Sequence, residues 1–334
     1  MRIAEVVLLT VSLAISFVGA EFGIRMLKLA PEIYSVPIQR YQLSSNVKIG
    51  WEPKPKGDYS GSQDYPPEET NSMGYRDYDH EIQNRAGTYR IIVIGDSIAA
   101  GLGVPNYRDT FPSLLEKILK DGGRKVEVIN LAVSGYNTQQ EVETLIDKGL
   151  VFTPDLVVVA YCWNDHGFSA GRILTRLIQE QNDTLGRTPS AALIHVLSKS
   201  AMFRLVYYRL LDGIAGLQSE LRDDLEMDKV LYYFQMLANL SAANHFNVLV
   251  VSFPRFDKLA ISVEVDTTLS GEPESLQAGL DYLNLLEPMR ACNSGQDISH
   301  DSLHPGPIGH RCAAEAIADR VIEFQHSRPI LNRQ

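Results

Sequence analysis

Residues 90–97 read Arg-Ile-Ile-Val-Ile-Gly-Asp-Ser, and the fold is decided there. Four consecutive apolar residues, all β-branched, suit a strand covered on both faces, as in a parallel sheet. Three further runs have the same character: VEVINL at 126–131, DLVVVA at 155–160 and NVLVV at 247–251. Helical patterns lie between them. Residues 109–121 place Phe111, Leu114, Leu115, Ile118 and Leu119 on one stripe, and 139–150 and 229–244 behave likewise. A last helix is expected over 307–324, with its start signalled by proline. Strands alternating with helices predict a three-layer α/β/α sandwich on a parallel, doubly wound sheet.

In such a sheet, reactive groups gather at the carboxyl ends of the strands. Four groups fall at strand exits or before the last helix. Gly95-Asp96-Ser97 follows the first strand. Gly95 permits a tight turn, Asp96 braces it, and Ser97 begins the next segment near backbone N–H groups that favour a developing oxyanion. A helix-capping serine is the plainer reading of the same three residues. Gly135, in the loop after the second strand, leaves its N–H open to approach, or is an ordinary loop glycine. Asn164, after the third, carries an amide that can donate to an oxyanion or form an Asx turn. Asp301 precedes His304 by three residues, a spacing that lets the carboxylate fix the tautomer of a general base. His300 and His310 lie nearby but lack that partner spacing.

In this combination and order the chain resembles the SGNH hydrolases, also called GDSL esterases, over roughly residues 86–325. The family's serine block reads Gly95-Asp96-Ser97, followed by Gly101-Leu102-Gly103-Val104. Its glycine block falls on Gly135, its asparagine block on Asn164, and its Asp-x-x-His block on Asp301 and His304. The earlier Asn71-x-x-Gly74-Tyr75-Arg76 is similar to the lead-in of membrane-anchored bacterial members. Ile98 stands where the name-giving pattern has Leu, and Cys162 where many members have Gly. The resemblance implies a flavodoxin-like fold and an ester hydrolase acting through an acyl-enzyme. Ser97 would be the nucleophile, His304 the base and Asp301 its orienting acid. Ser97, Gly135 and Asn164 would form the oxyanion hole, with Asp96 in support. No cofactor and no metal are implied. A small-molecule or acylated-glycan ester is the expected substrate. An O-acyltransferase with the same residues, and a non-catalytic glycan-binding protein on the same fold, are the alternatives. A dinucleotide-binding protein is disfavoured, because no Gly-x-Gly-x-x-Gly follows the first strand.

The flanks supply an address. Residues 6–20 (VVLLTVSLAISFVGA) carry no charge. A helix from 3 to 24 would be roughly 33 Å long, enough for a bilayer core of about 30 Å. Glu5 and Glu21 would then sit near its ends. Val18-Gly19-Ala20 also resembles a signal-peptidase site. An uncleaved anchor over 1–28 is the preferred reading, with the body outside the cytoplasm. Residues 29–85 read as a lead-in that drapes over the main domain at 86–328. Mostly helical sequence at 166–225 interrupts the rhythm, as a lid or as ordinary packing helices. The net charge of −10 disfavours nucleic acid as a partner. The three cysteines, 162, 292 and 312, show no metal or redox spacing. Cys292 and Cys312 are a candidate pair if the body is extracytoplasmic.

Overall fold

Apolar runs too short for helices, separated by helical stripes, fold into one parallel sheet with helices on both faces. A computed structural model describes residues 3–27, 29, 40–56, 69–162, 165, 197, 199–203, 205–206, 223–256, 272–292, 298–299, 301 and 303–327. The chain divides into two compact units, one of residues 1–38 and 176–225, the other of 39–175 and 226–334.

In the first unit, α1 (Ile3–Met26) is a continuous helix of 24 residues, about 36 Å long. It is long and apolar enough to cross a membrane, a test that a signal sequence also passes. Near its end the Glu21 carboxylate accepts hydrogen bonds from Ser200 Oγ (2.9 Å), Ala201 N (2.7 Å) and Met202 N (2.9 Å). Arg25 donates to the carbonyl of Lys199 (2.7 Å). The polar end of the apolar helix is thereby tied to a segment of the predicted insertion.

The second unit opens with a hairpin of β1 (Tyr41–Leu43) and β2 (Trp51–Pro53). Its main sheet starts with β3 (Tyr89–Gly95), every residue of which is buried. There follow α2 (Ser97–Ala100), α3 (Phe111–Asp121), β4 (Val126–Asn130), α4 (Thr138–Thr144) and β5 (Leu156–Tyr161). Then come α5 (Asp223–Asn244), β6 (Asn247–Ser252), α6 (Glu272–Gln277), β7 (Asp281–Asn284), α7 (Leu286–Cys292) and α8 (Pro307–Ser327). The sheet order is β4-β3-β5-β6-β7, all parallel. The first strand therefore sits between the second and third, and the order reverses direction beside it, which makes a crevice at the carboxyl ends of β3 and β5. Phe111, Leu115 and Leu119 of α3 pack with Ala313, Ile317 and Val321 of α8 against one face.

The strands β1, β2 and β7 and the short helices α6 and α7 were not expected from the sequence. β7 is a partly exposed edge strand without a continuous apolar run. The β1–β2 hairpin belongs to the lead-in, and the aromatic core makes it fold: Trp51 is 0% exposed and meets Tyr41 and Tyr136 edge-on, at 4.6 and 4.8 Å between ring centres. Tyr136 also donates its hydroxyl to the carbonyl of Trp51 (2.6 Å). Further along the lead-in, the buried Arg76 donates to the carbonyls of Ala100 (3.2 Å), Gly101 and Val104, bracing the turn that ends α2. Cys292 and Cys312 form a disulfide between α7 and α8, with Cα atoms 6.1 Å apart. Most of the insertion lies outside the described residues.

Candidate active site

The site begins where β3 ends. A Cβ on Gly95 would come within 2.9 Å of Cβ of both Ala160 and Ala99. Glycine is needed there for close packing of α2 on β5, and the strand passes into the helix through the single residue Asp96. Asp96 caps the short helix that follows, its Oδ1 accepting the Ile98 N–H at 2.8 Å. Ser97 is thereby set at the first position of α2, nearly buried at 7% exposure. From the other side, Asn130 at the end of β4 donates to the carbonyl of Ala99 (3.0 Å).

The loop before α8 brings the base. Asp301 Oδ1 accepts the backbone N–H groups of Leu303 and His304, each at 2.7 Å, and Oδ2 lies 2.8 Å from His304 Nδ1. His304 Nε2 in turn lies 2.8 Å from Ser97 Oγ. An ionised carboxylate only accepts, so Nδ1 carries the ring proton and donates it to Asp301. Nε2 is then left to accept from the Ser97 hydroxyl. Burial pulls the Asp301 carboxyl upward, but hydrogen bonds from His304 and Leu303 outweigh it and leave it below the usual carboxylate range. The structure thus brings Ser97, His304 and Asp301 into one hydrogen-bonded line across 207 residues of sequence.

The rival histidine is differently employed. His310 is 0% exposed, and its Nδ1 accepts the N–H of Phe111 at 3.0 Å, capping α3. Burial, with the charges of Arg76 and His304, pushes it down to about 3, so the ring stays neutral. His300 lies outside the described residues.

Gly135 follows β4 with φ +85°, a left-handed conformation in which other residues are strained. Among the described residues a Cβ there would meet only the Trp51 ring, at 3.8 Å, so the left-handed conformation is what calls for glycine. Asn164 lies outside the described residues, but its neighbours Cys162 and Asp165 do not. Cys162 N donates to Asp165 Oδ2 (2.7 Å), and Asp165 Oδ1 accepts from Thr138 Oγ1 (3.1 Å). The Cys162 thiol points toward Asp96 Oδ2 at 3.4 Å. Thr138, Asp165 and Asn130 were not named as site residues from sequence, and only their adjacency to the glycine and asparagine blocks could have signalled them; Cys162 and Arg76 were noted there for the family resemblance, without these contacts. Among the described residues, no group of three or more His, Cys, Asp or Glu side chains is arranged to hold a metal ion.

The family model described as "GDSL-like Lipase/Acylhydrolase family" matches residues 93–312. A curated arylesterase from Vibrio mimicus is 37% identical over 76 residues, which are 23% of this chain and 38% of that protein. Among solved structures, TesA aligns over 70% of this chain and 99% of its own with 15% identity and a TM-score of 0.44. The acetyl xylan esterase AlAXEase aligns over 70% and 99%, with 17% identity and a TM-score of 0.42.

Proposed function

Because the chain belongs to the GDSL-like lipase/acylhydrolase family, we propose that it hydrolyses ester bonds with Ser97 as nucleophile, His304 as general base and Asp301 as its orienting acid. The observation that carries this reading is the 2.8 Å Ser97–His304 contact, continued at 2.8 Å to Asp301. Ser97 Oγ attacks the acyl carbon while its proton passes to His304 Nε2. The resulting oxyanion is held by the backbone N–H groups of Ser97 and Gly135 and by the Asn164 amide; loss of one such donor costs about 3 kcal/mol of barrier. His304 then protonates the leaving alcohol. Water, activated by the same ring, releases the acid from Ser97. A sugar hydroxyl in place of that water gives acyl transfer with the same groups.

The body is proposed to lie outside the cytoplasm, held by α1, with acylated cell-surface glycan or lipid as the substrate class. The Cys292–Cys312 disulfide supports an oxidising compartment.

The test is covalent labelling. A fluorophosphonate probe should mark the wild-type chain and not Ser97→Ala, and Ser97→Ala should lose turnover of a short-chain aryl ester. Undiminished turnover in that variant would remove the nucleophile from the scheme.

A further inference from the structure

We propose that His80 is held as an imidazolium between the carboxylates of Asp77 and Glu127, and that this buried cation is a positioning residue for the exit of β4 and for the turn that carries Ser97. The charge stands on the hydrogen-bond geometry; its catalytic consequence rests on the Ser97 reading.

His80 belongs to the lead-in, and its side chain is 2% exposed. Its Nε2 lies 2.9 Å from Asp77 Oδ2, and its Nδ1 lies 2.8 Å from Glu127 Oε1, on β4. The other two carboxyl oxygens are engaged as well. Asp77 Oδ1 accepts the backbone N–H of Tyr78 (2.8 Å), and Glu127 Oε2 accepts the Arg90 Nε–H (2.7 Å). A carboxylate only accepts, and a neutral imidazole has one nitrogen that only accepts. A neutral ring would therefore turn a lone pair toward one of the two carboxylates at hydrogen-bond distance. The doubly protonated ring donates at both ends. Charge balance agrees: His80 and Arg90 offset Asp77 and Glu127, whereas a neutral ring leaves one buried anion uncompensated. Also beside the ring are the exposed Asp79 and Tyr78, whose ring centre is 4.1 Å away and whose hydroxyl donates to Glu116 of α3 (2.6 Å). Burial pulls His80 down, but hydrogen bonds to Asp77 and Glu127 outweigh it and push the ring up to about 9. Glu127 falls below the usual carboxylate range despite burial; Asp77 is raised, burial there outweighing the bonds from His80 and Asn130.

What the cation holds is the frame of the site. Asp77 Oδ2, the oxygen that faces His80, also accepts the N–H of Asn130 (2.8 Å), the last residue of β4. Asn130 Oδ1 accepts the N–H of Ala132 (3.1 Å), in the loop that runs on to Gly135. Its Nδ2 donates to the carbonyl of Ala99, two residues past Ser97. Arg76, adjacent to Asp77, braces the turn that ends α2. Deprotonation of His80 removes a donor from one carboxylate and loosens the lead-in from β4. Substrate still binds, but the attacking hydroxyl and the Gly135 N–H lose their alignment, so kcat falls and KM changes little.

Nitrogen NMR of the full-length chain in detergent, labelled with 15N-histidine, tests the charge. One ring should carry protons on both nitrogens at neutral pH, lose one only near pH 9, and be missing from His80→Gln, whose amide can donate to one carboxylate but not to both. Turnover of a short-chain aryl ester tests the positioning. Wild-type kcat should fall about tenfold as pH rises through about 9, and His80→Gln should stay near the lower level at every pH with KM little changed. The urea midpoint gives a third readout. A raised folded-state pKa adds stability that is complete below the ordinary value of 6.5 and is lost as pH rises through about 9, a decline that His80→Gln should not show. The wild-type spectrum and pH profile decide the matter even if the variant does not fold. A buried ring with a single proton at neutral pH would overturn the charge, and a His80→Gln as active as wild type at every pH would overturn the positioning role. An active Ser97→Ala with the imidazolium intact would instead remove the nucleophile and leave the charge standing.

Discussion

Replacing Asp301 by Asn probes the relay at the point where its geometry is most constrained. The carboxylate is engaged at both oxygens: Oδ1 takes two backbone N–H groups and Oδ2 faces the His304 ring. An amide cannot serve both. If its oxygen stays with the backbone, its NH2 faces Nδ1 and forces that nitrogen to accept. Nε2 then carries the proton, pointed at Ser97, and the ring is no base. In the Ser-His-Asp proteases such a tautomer error costs about 10⁴ in kcat. If the amide flips, its oxygen serves the ring but two backbone bonds are lost. At roughly 1 kcal/mol each, that orientation is disfavoured by about 2 kcal/mol and holds about one molecule in thirty. The expected loss in kcat therefore lies between about 30-fold and 10⁴-fold. Water screening does not remove it, although the Asp301 side chain is 45% exposed, because the effect is one of donor and acceptor direction. The assay is steady-state turnover of a short-chain aryl ester, with circular dichroism to show that the variant is folded. A loss below threefold would refute the assignment of Asp301 as the group that sets the tautomer.

Three further outcomes follow from the packing. His310→Ala should lower stability by about 2–4 kcal/mol, through a lost cap and a cavity between α3 and α8, while the folded fraction keeps turnover within a few fold; a loss of turnover as deep as in His304→Ala would return His310 to the candidates for the base. Its depressed pKa also gives a sign: below 6.5 the unfolded ring binds a proton that the folded one refuses, so stability falls as pH drops toward about 3, less steeply in His310→Gln, as urea titrations at several pH values would show. The disulfide closes a loop across a separation of 20 residues that contains both Asp301 and His304. The variant with both cysteines changed to serine should lose about 3 kcal/mol of unfolding free energy, and an unchanged denaturant midpoint would mean that the bridge does not restrain the unfolded chain.

The amino-acid order alone determined the sheet-forming runs, the helices between them, and the residues at each strand exit. Those are short-range properties: apolar periodicity and the Gly95-Asp96-Ser97 and Asp301–His304 spacings act within one turn or strand. Parallel topology was the expectation because near-continuous apolar runs alternating with helices suit strands joined by crossover helices and covered on both faces. The edge strand β7 and the β1–β2 hairpin were illegible, since each is short and gains its order only from what it packs against. The Asp301 spacing already favoured His304 over His310 in the sequence, and the tertiary structure shows what each ring touches. Both are histidines near the start of the same helix, and only the path of the chain over the sheet buries one against Phe111 and turns the other to the crevice. It also decided that Gly95 is there for space and Gly135 for its left-handed backbone, a distinction of surroundings that no spacing encodes. The buried Glu141 reads in sequence as one more polar residue of an amphipathic helix. That it is 0% exposed depends on what packs over α4, contacts between residues that are remote along the chain.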